Sequence, residues 1–120
     1  MADLGKALLT EYDVIKNRKL NPQEGSYTSY LFNKGVDKIL KKVGEEATEV
    51  IIAAKDNNEE ETVCEICDLL FHIEVLMAER GIEWEAVANE LEQRRQKENM
   101  NVEKEAKRKA ENRTDETNIN

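Results

Sequence analysis

The chain has 120 residues, 37% of them charged, a net charge of −8, one Pro and five Gly. That length fits one domain with a modest core, and the acidic balance excludes the clustered Lys and Arg that a nucleic-acid backbone or an anionic membrane attracts. No apolar run approaches membrane-spanning length and no signal-peptide core opens the chain, so a cytoplasmic protein with no membrane partner is expected.

No segment sustains a two-residue alternation, so the chain reads as all-α. Residues 3–18 form the first predicted helix, with Asp3 as N-cap and Leu4, Leu8, Tyr12 and Ile15 on one face. Residues 19–33 break the pattern. The only Pro is followed there by Gly25 and a hydroxyl run, Ser26, Tyr27, Thr28, Ser29 and Tyr30, with Lys34-Gly35 behind it. Two readings stay open. The segment wraps a sugar phosphate with its hydroxyls, backbone N–H groups and Lys34, or it is a connector with a short helical turn over residues 28–32.

Next, Val36, Ile39, Leu40, Val43, Ala47, Val50, Ile51 and Ala54 recur at three- and four-residue steps and gather into one helical face. Inside this helix lies Gly44-Glu45-Glu46-Ala47-Thr48-Glu49. Glu46 and Glu49 fall on the flank of the apolar stripe, at about −60° and −120° from Val43, while Glu45 lies almost opposite the core. Lys38, Lys42 and Glu46 step along one side. Ion pairing at i,i+4 accounts for that spacing; the functional alternative is that Lys42, which falls between Glu46 and Glu49, neutralises phosphate oxygens.

After Asp56-Asn57-Asn58, residues 59–80 form a helix with Val63, Ile66, Leu69, Leu70, Ile73, Leu76 and Met77 on one face. Cys64, Cys67, Phe71 and Val75 lie on the opposite one. A helix apolar on two sides is normally buried on two sides. Glu65, Asp68 and His72 share the gap between those faces, where an unpaired carboxylate costs several kcal/mol or shifts its pKa. A short connection implies antiparallel packing, which lets the two acidic pairs face each other. Glu46, Glu49, Glu65 and Asp68 then converge on a hard cation. Magnesium prefers oxygen ligands and is completed by substrate phosphates, so a di- or triphosphate ester is the expected substrate class.

Cys64 and Cys67 lack the further ligands of a zinc site and the strand-to-helix setting of a redox motif, so they read as reduced packing residues. His72, the only imidazole, reads as a group that orients a carboxylate or touches a phosphate rather than one that abstracts a proton. Gly81 ends the helix. Residues 83–97 form a fourth long helix with Trp84, Val87, Ala88 and Leu91 inward. Residues 1–97 are therefore taken as the domain, and residues 98–120, whose only sizeable apolar residues are Met100, Val102 and Ile119, as a polar tail, either a helical extension or disordered.

Glu45-Glu46-x-x-Glu49 followed by Glu65-x-x-Asp68 resembles the paired acidic motif of the all-α nucleoside triphosphate pyrophosphatases, the MazG-like superfamily. Lys41-Lys42-Val43-Gly44-Glu45-Glu46, Asp68-Leu69-Leu70-Phe71-His72 and Ala78-Glu79-Arg80-Gly81-Ile82, with the Ser26 to Phe32 run and Ala53-Ala54-Lys55-Asp56, are similar to the phosphoribosyl-ATP pyrophosphatase family of histidine biosynthesis. The resemblance spans roughly residues 8–96. It implies a four- to five-helix bundle completed by homodimerisation, and magnesium-dependent hydrolysis of phosphoribosyl-ATP to phosphoribosyl-AMP and pyrophosphate. Carried over by position, Glu46, Glu49, Glu65 and Asp68 are the metal ligands, and Glu45 either activates water or orders the other carboxylates. Lys42, Lys55, Lys34, His72 and the hydroxyls of Ser26, Tyr27 and Thr28 are assigned to phosphate or ribose on chemical grounds. The face of Cys64, Cys67, Phe71 and Val75 gives a separate reason to expect a dimer. Two rivals are a related pyrophosphatase acting on dUTP or a damaged nucleotide, and a helical interaction module whose carboxylates only solubilise it.

Overall fold

The computed structural model describes residues 1–118; Ile119, named above in the tail, lies outside them. Among these residues there are five helices and no strand, and no helix is long and apolar enough to cross a membrane. The chain divides into two compact units, one over Met1–Glu83 and one from Trp84 onward.

The first unit holds α1 (Leu4–Leu20), α2 (Tyr27–Lys34), α3 (Val36–Lys55) and α4 (Glu59–Arg80). Asp3 caps α1 as expected, its carboxylate accepting from the Lys6 N–H at 3.1 Å. The hydroxyl run is a helix rather than a loop. Ser26 is its N-cap, accepting from the Ser29 N–H at 3.1 Å, and Leu31 anchors it as a fully buried side chain. Gly35 ends α2 and opens α3 at φ 95 and ψ 179, a backbone region open essentially to glycine alone.

Helices α3 and α4 are joined by three residues and form an antiparallel hairpin. Asn58 fixes its register. The Asn58 side chain accepts from the Glu61 N–H at 3.0 Å, and its own N–H donates back to the Ala53 carbonyl at 3.1 Å. Asn58→Ala is expected to lower stability by about 1 kcal/mol in urea denaturation, and Asn58→Ser, which keeps a capping oxygen, by much less.

Tyr12, Ile15, Leu31, Ile39, Val75 and Met77 supply the large buried apolar side chains of the core. Each fully buried one contributes about 1.5–3 kcal/mol. The Tyr12 hydroxyl donates to the Ile82 carbonyl, Lys16 pairs with Glu83 at 3.0 Å, and Lys19 donates to the Ala78 carbonyl at 3.0 Å. These contacts tie α1 to the C-terminal end of α4. Burial of Tyr12, together with the charges of Glu83 and Glu74, raises its phenol above the ordinary value.

The predicted faces of α3 and α4 are only partly covered. Ile51, Val63 and Ile66 remain 66%, 55% and 43% exposed, and Leu40, Ala54 and Leu4 are exposed as well. On the second face of α4, Val75 is buried inside the unit, whereas Cys64 and Cys67 are free and exposed. The reason lies in the packing order. Helix α1 covers the later half of α4, so the end of the hairpin nearest the connection has no third helix over it.

The second unit is one helix, α5 (Trp84–Asn118), so residues 98–118 take the helical extension of the two alternatives left open for the tail. Trp84 and Val87 are half-buried, while Ala88 and Leu91 are exposed rather than inward. Pairs within the helix support it: Arg94 with Glu90 at 3.0 Å, Arg95 with Glu92, and Arg108 with Glu105.

Candidate functional site

The acidic residues of the hairpin meet where α3 passes α4. Glu65 and Asp68, one turn apart, project from the same side of α4, and antiparallel packing sets Glu46 of α3 against them. One carboxylate oxygen from each of Glu46, Glu65 and Asp68 lies within 4.8 Å of the others. Glu46 and Glu65 are half-buried and Asp68 is exposed.

Such a cluster works against itself. The inner Oε2 of Glu65 is enclosed and has no hydrogen-bond donor. Its carboxyl is pushed up to about 7, first by a hydrogen bond shared with Glu46, then by loss of hydration, then by Glu61 and the charges of Glu46 and Asp68. Below about pH 7, therefore, the protonated form of Glu65, favoured by hydrogen bonding with Glu46, predominates. This is the donor set a hard divalent cation fits: oxygen only, closely spaced, and relieved of repulsion when a positive charge replaces the proton.

A pH dependence follows from the sign of that shift. The folded carboxyl holds its proton up to about 7, against an ordinary 4.5. Its contribution to stability is therefore fully present below the ordinary value and is lost as pH rises through the folded one. Metal-free protein is expected to melt at a lower temperature at pH 8 than at pH 5.5. Magnesium chloride should restore the pH 8 value. An unchanged melting temperature across this range would show that the three carboxylates are not coupled.

Lys42 stands beside the cluster, half-buried, 3.3 Å from Glu45 and 3.4 Å from Glu46. Burial alone would lower its ammonium, but bonds to Glu45 and Glu46 and the nearby Tyr27 raise it above the usual value. Glu45 is exposed and held by Lys41 at 3.9 Å as well as by Lys42, outside the group of three. Glu49 is also exposed and lies outside that group.

His72 is buried and both its ring nitrogens are engaged. Nδ1 is 2.7 Å from the Asp68 carbonyl and Nε2 is 2.9 Å from the Tyr27 hydroxyl. A carbonyl can only accept, so the proton sits on Nδ1 and Nε2 receives the Tyr27 O–H. In this arrangement His72 fixes Tyr27 to the helix that carries Asp68, with no nitrogen left for a phosphate. The Tyr27 ring lies edge-on to His72 and stacks on Phe71 and Tyr30, each at 6.1 Å. Loss of hydration raises its phenol, with Lys42 opposing and Glu46 reinforcing that shift.

The remaining predicted binding residues are spread out. Ser26 spends its oxygen on the α2 cap, and Thr28 lines a shallow depression with Asp3, Lys6 and Phe71. Lys34 sits over the Tyr30 ring at 5.7 Å, and Lys55 is exposed in the last turn of α3. Two further residues matter here, Tyr30 of the hydroxyl run and Glu74, which the sequence reading passed over. Tyr30 extends the aromatic row from Tyr27, and Glu74 is fully buried in α4 close enough to Tyr12 to act on its phenol. Only the apolar neighbours Ile73 and Val75 hinted at Glu74.

Comparison with known proteins identifies the family. Residues 10–95 match the family model of phosphoribosyl-ATP pyrophosphohydrolase. A phosphoribosyl-ATP pyrophosphatase of Clostridium botulinum (strain Kyoto / Type A2) is 60% identical over 86 residues, covering 72% of this chain and 78% of that one. One from Clostridium novyi (strain NT) is 52% identical over 101 residues, covering 84% and 90%. The histidine biosynthesis bifunctional protein HisIE of Caldanaerobacter subterraneus subsp. tengcongensis is 58% identical over 86 residues, covering 72% of this chain and 42% of the longer relative. Glu46, Glu65 and Asp68 lie within the matched residues, and the chain belongs to the phosphoribosyl-ATP pyrophosphohydrolase family.

Proposed function

We infer that the chain is a histidine-biosynthesis enzyme that hydrolyses phosphoribosyl-ATP to phosphoribosyl-AMP and pyrophosphate, using magnesium at the carboxylate cluster and working as a homodimer. The observation that carries this reading is the meeting of Glu46, Glu65 and Asp68 within 4.8 Å in a chain of this family.

Glu46, Glu65 and Asp68 would hold the cation, and Glu49, one turn beyond Glu46 on α3, completes the set. Bound there, magnesium supplies a Lewis acid for the phosphoryl oxygens and lowers the pKa of an attacking water. The break falls between the α and β phosphates. Lys42 faces the oxygens on which charge develops, and Glu45 keeps its ammonium in place. His72 holds Tyr27 beside this centre. The homodimer reading is supported by the uncovered apolar residues of α3 and α4.

The test is pyrophosphate release from phosphoribosyl-ATP, dUTP and ATP, with and without magnesium. Metal-dependent release from phosphoribosyl-ATP alone is expected. A preference for dUTP would keep the centre and change the substrate, and no release from any of the three would leave a non-enzymatic helical module.

A further inference from the structure

We propose that the cavity between the end of α1 and α2 binds the phosphorylated second ribose of phosphoribosyl-ATP, and that Tyr30, beside Tyr27, stacks the purine joining that ribose to the triphosphate. The proposal rests on the substrate inferred above. That substrate carries anionic groups at two ends with a purine between them, whereas ATP has only the triphosphate end. An enzyme that hydrolyses one and spares the other needs a contact with the second phosphate, away from the carboxylates.

The structure provides a row of groups leading from one end to the other. Asp68 offers its backbone carbonyl to His72, and His72 holds the Tyr27 hydroxyl. The Tyr27 ring stacks on Tyr30 at 6.1 Å with 22° between the planes, and the two rings are 45% and 43% exposed. Two adjacent, half-exposed tyrosine rings beside a phosphate-handling centre offer a platform for a flat base, with the Lys34 ammonium, which lies over the Tyr30 ring at 5.7 Å, moving to the edge of that base. Tyr30 also forms part of the wall of a cavity of about 670 Å³, within the range that takes a small ligand.

Arg18, Lys19, Gln23, Ser29 and Asn33 share that wall. Lys19 is occupied with the Ala78 carbonyl and with Glu79 at 4.0 Å, which leaves it as part of the frame. Arg18 spends one donor on the Asn17 side chain, so most of its guanidinium fork remains for a phosphate. Glu24 also lines the cavity, so Arg18 is the cation on which binding an anion there depends. None of these residues belongs to the carboxylate cluster, and of them only Ser29 lies in the hydroxyl run that the sequence singles out.

The experiment uses the full chain carrying Arg18→Gln or Tyr30→Ala, each checked by circular dichroism for an unchanged fold. Losing one charge-assisted contact should raise KM for phosphoribosyl-ATP by about 10- to 100-fold in Arg18→Gln with kcat little changed. ATP, which lacks the second phosphate, should compete with phosphoribosyl-ATP with the same inhibition constant in the wild type and in Arg18→Gln. Tyr30→Ala should raise both the KM for phosphoribosyl-ATP and the inhibition constant of ATP, because both carry the purine. Ribose 5-phosphate should inhibit the wild type competitively and Arg18→Gln far less. An unchanged KM in Arg18→Gln, or an equal loss of affinity for both nucleotides, would overturn the proposal. If the wild type does not hydrolyse phosphoribosyl-ATP at all, the substrate reading fails by itself; calorimetric binding of ribose 5-phosphate to wild type and Arg18→Gln then decides the cavity, equal binding or none counting against it.

Discussion

Glu65→Gln is expected to lower pyrophosphate release by about 10²- to 10³-fold, the usual cost of removing one preorganised electrostatic group, while raising the melting temperature of the metal-free protein. The two effects share a cause. Glu65 is the carboxylate whose enclosed oxygen has no donor and whose proton is shared with Glu46. An amide supplies that donor permanently, so the folded state no longer depends on a proton at this place. It also removes one negative charge from a trio within 4.8 Å, and with it the attraction for a dication. Glu49→Gln separates the two effects. Glu49 lies outside the trio, so its replacement should reduce turnover without raising the metal-free melting temperature. Thermal melting beside initial-rate assays at several magnesium concentrations checks both. Lower stability in Glu65→Gln would mean that this carboxylate is held by favourable contacts instead.

Ile66→Asp is expected to convert the proposed homodimer into a monomer. Ile66 is 43% exposed within the single chain, so the folded unit tolerates the change. In a two-fold symmetric interface the same substitution occurs twice. An uncompensated buried charge costs about 3–5 kcal/mol, so two weaken association by at least about 10⁴-fold. Sedimentation equilibrium should report a mass near that of one 13.8 kDa chain. The exposed thiols of Cys64 and Cys67, on the neighbouring part of α4, give a second readout. They should react slowly with a thiol reagent in the wild type and faster in the variant. A wild type that is itself monomeric would remove the dimer from the account.

The helices were legible because apolar residues at three- and four-residue steps leave few alternatives, and Asp3 and Gly81 mark ends in the expected way. The meeting of Glu46 with Glu65 and Asp68 was legible too, because a three-residue connection forces an antiparallel hairpin. Periodicity reports which side of a helix is apolar and not what covers it. Ile51 and Val63 therefore read as core, yet stand exposed in the single chain. The hydroxyl-rich run read as either a loop or a connector with one helical turn because Ser and Thr are indifferent helix formers. What makes α2 helical is the Ser26 cap and the burial of Leu31, one local and one tertiary. Glu74 escaped notice because a one-dimensional pattern does not say which polar residue of a two-sided apolar helix lies inside. Arg18 looked like an ordinary last-turn basic residue, and only the fold brings it to the same cavity as Tyr30.

Helix α2, with its eight residues, is too short to persist alone in water. Gly25 and Gly35, both at positive φ, bracket it. Its order is borrowed through Leu31 and through the hydroxyl that Tyr27 lends to His72. Helices α3 and α4 hold each other and do not need it. The segment is therefore expected to open as a separate cooperative piece, its amides exchanging with deuterium before those in the middle of α4. A purine resting on Tyr27 and Tyr30 would close that early-opening piece, so occupancy of the site would be written into the exchange rate of a helix that carries none of the clustered carboxylates.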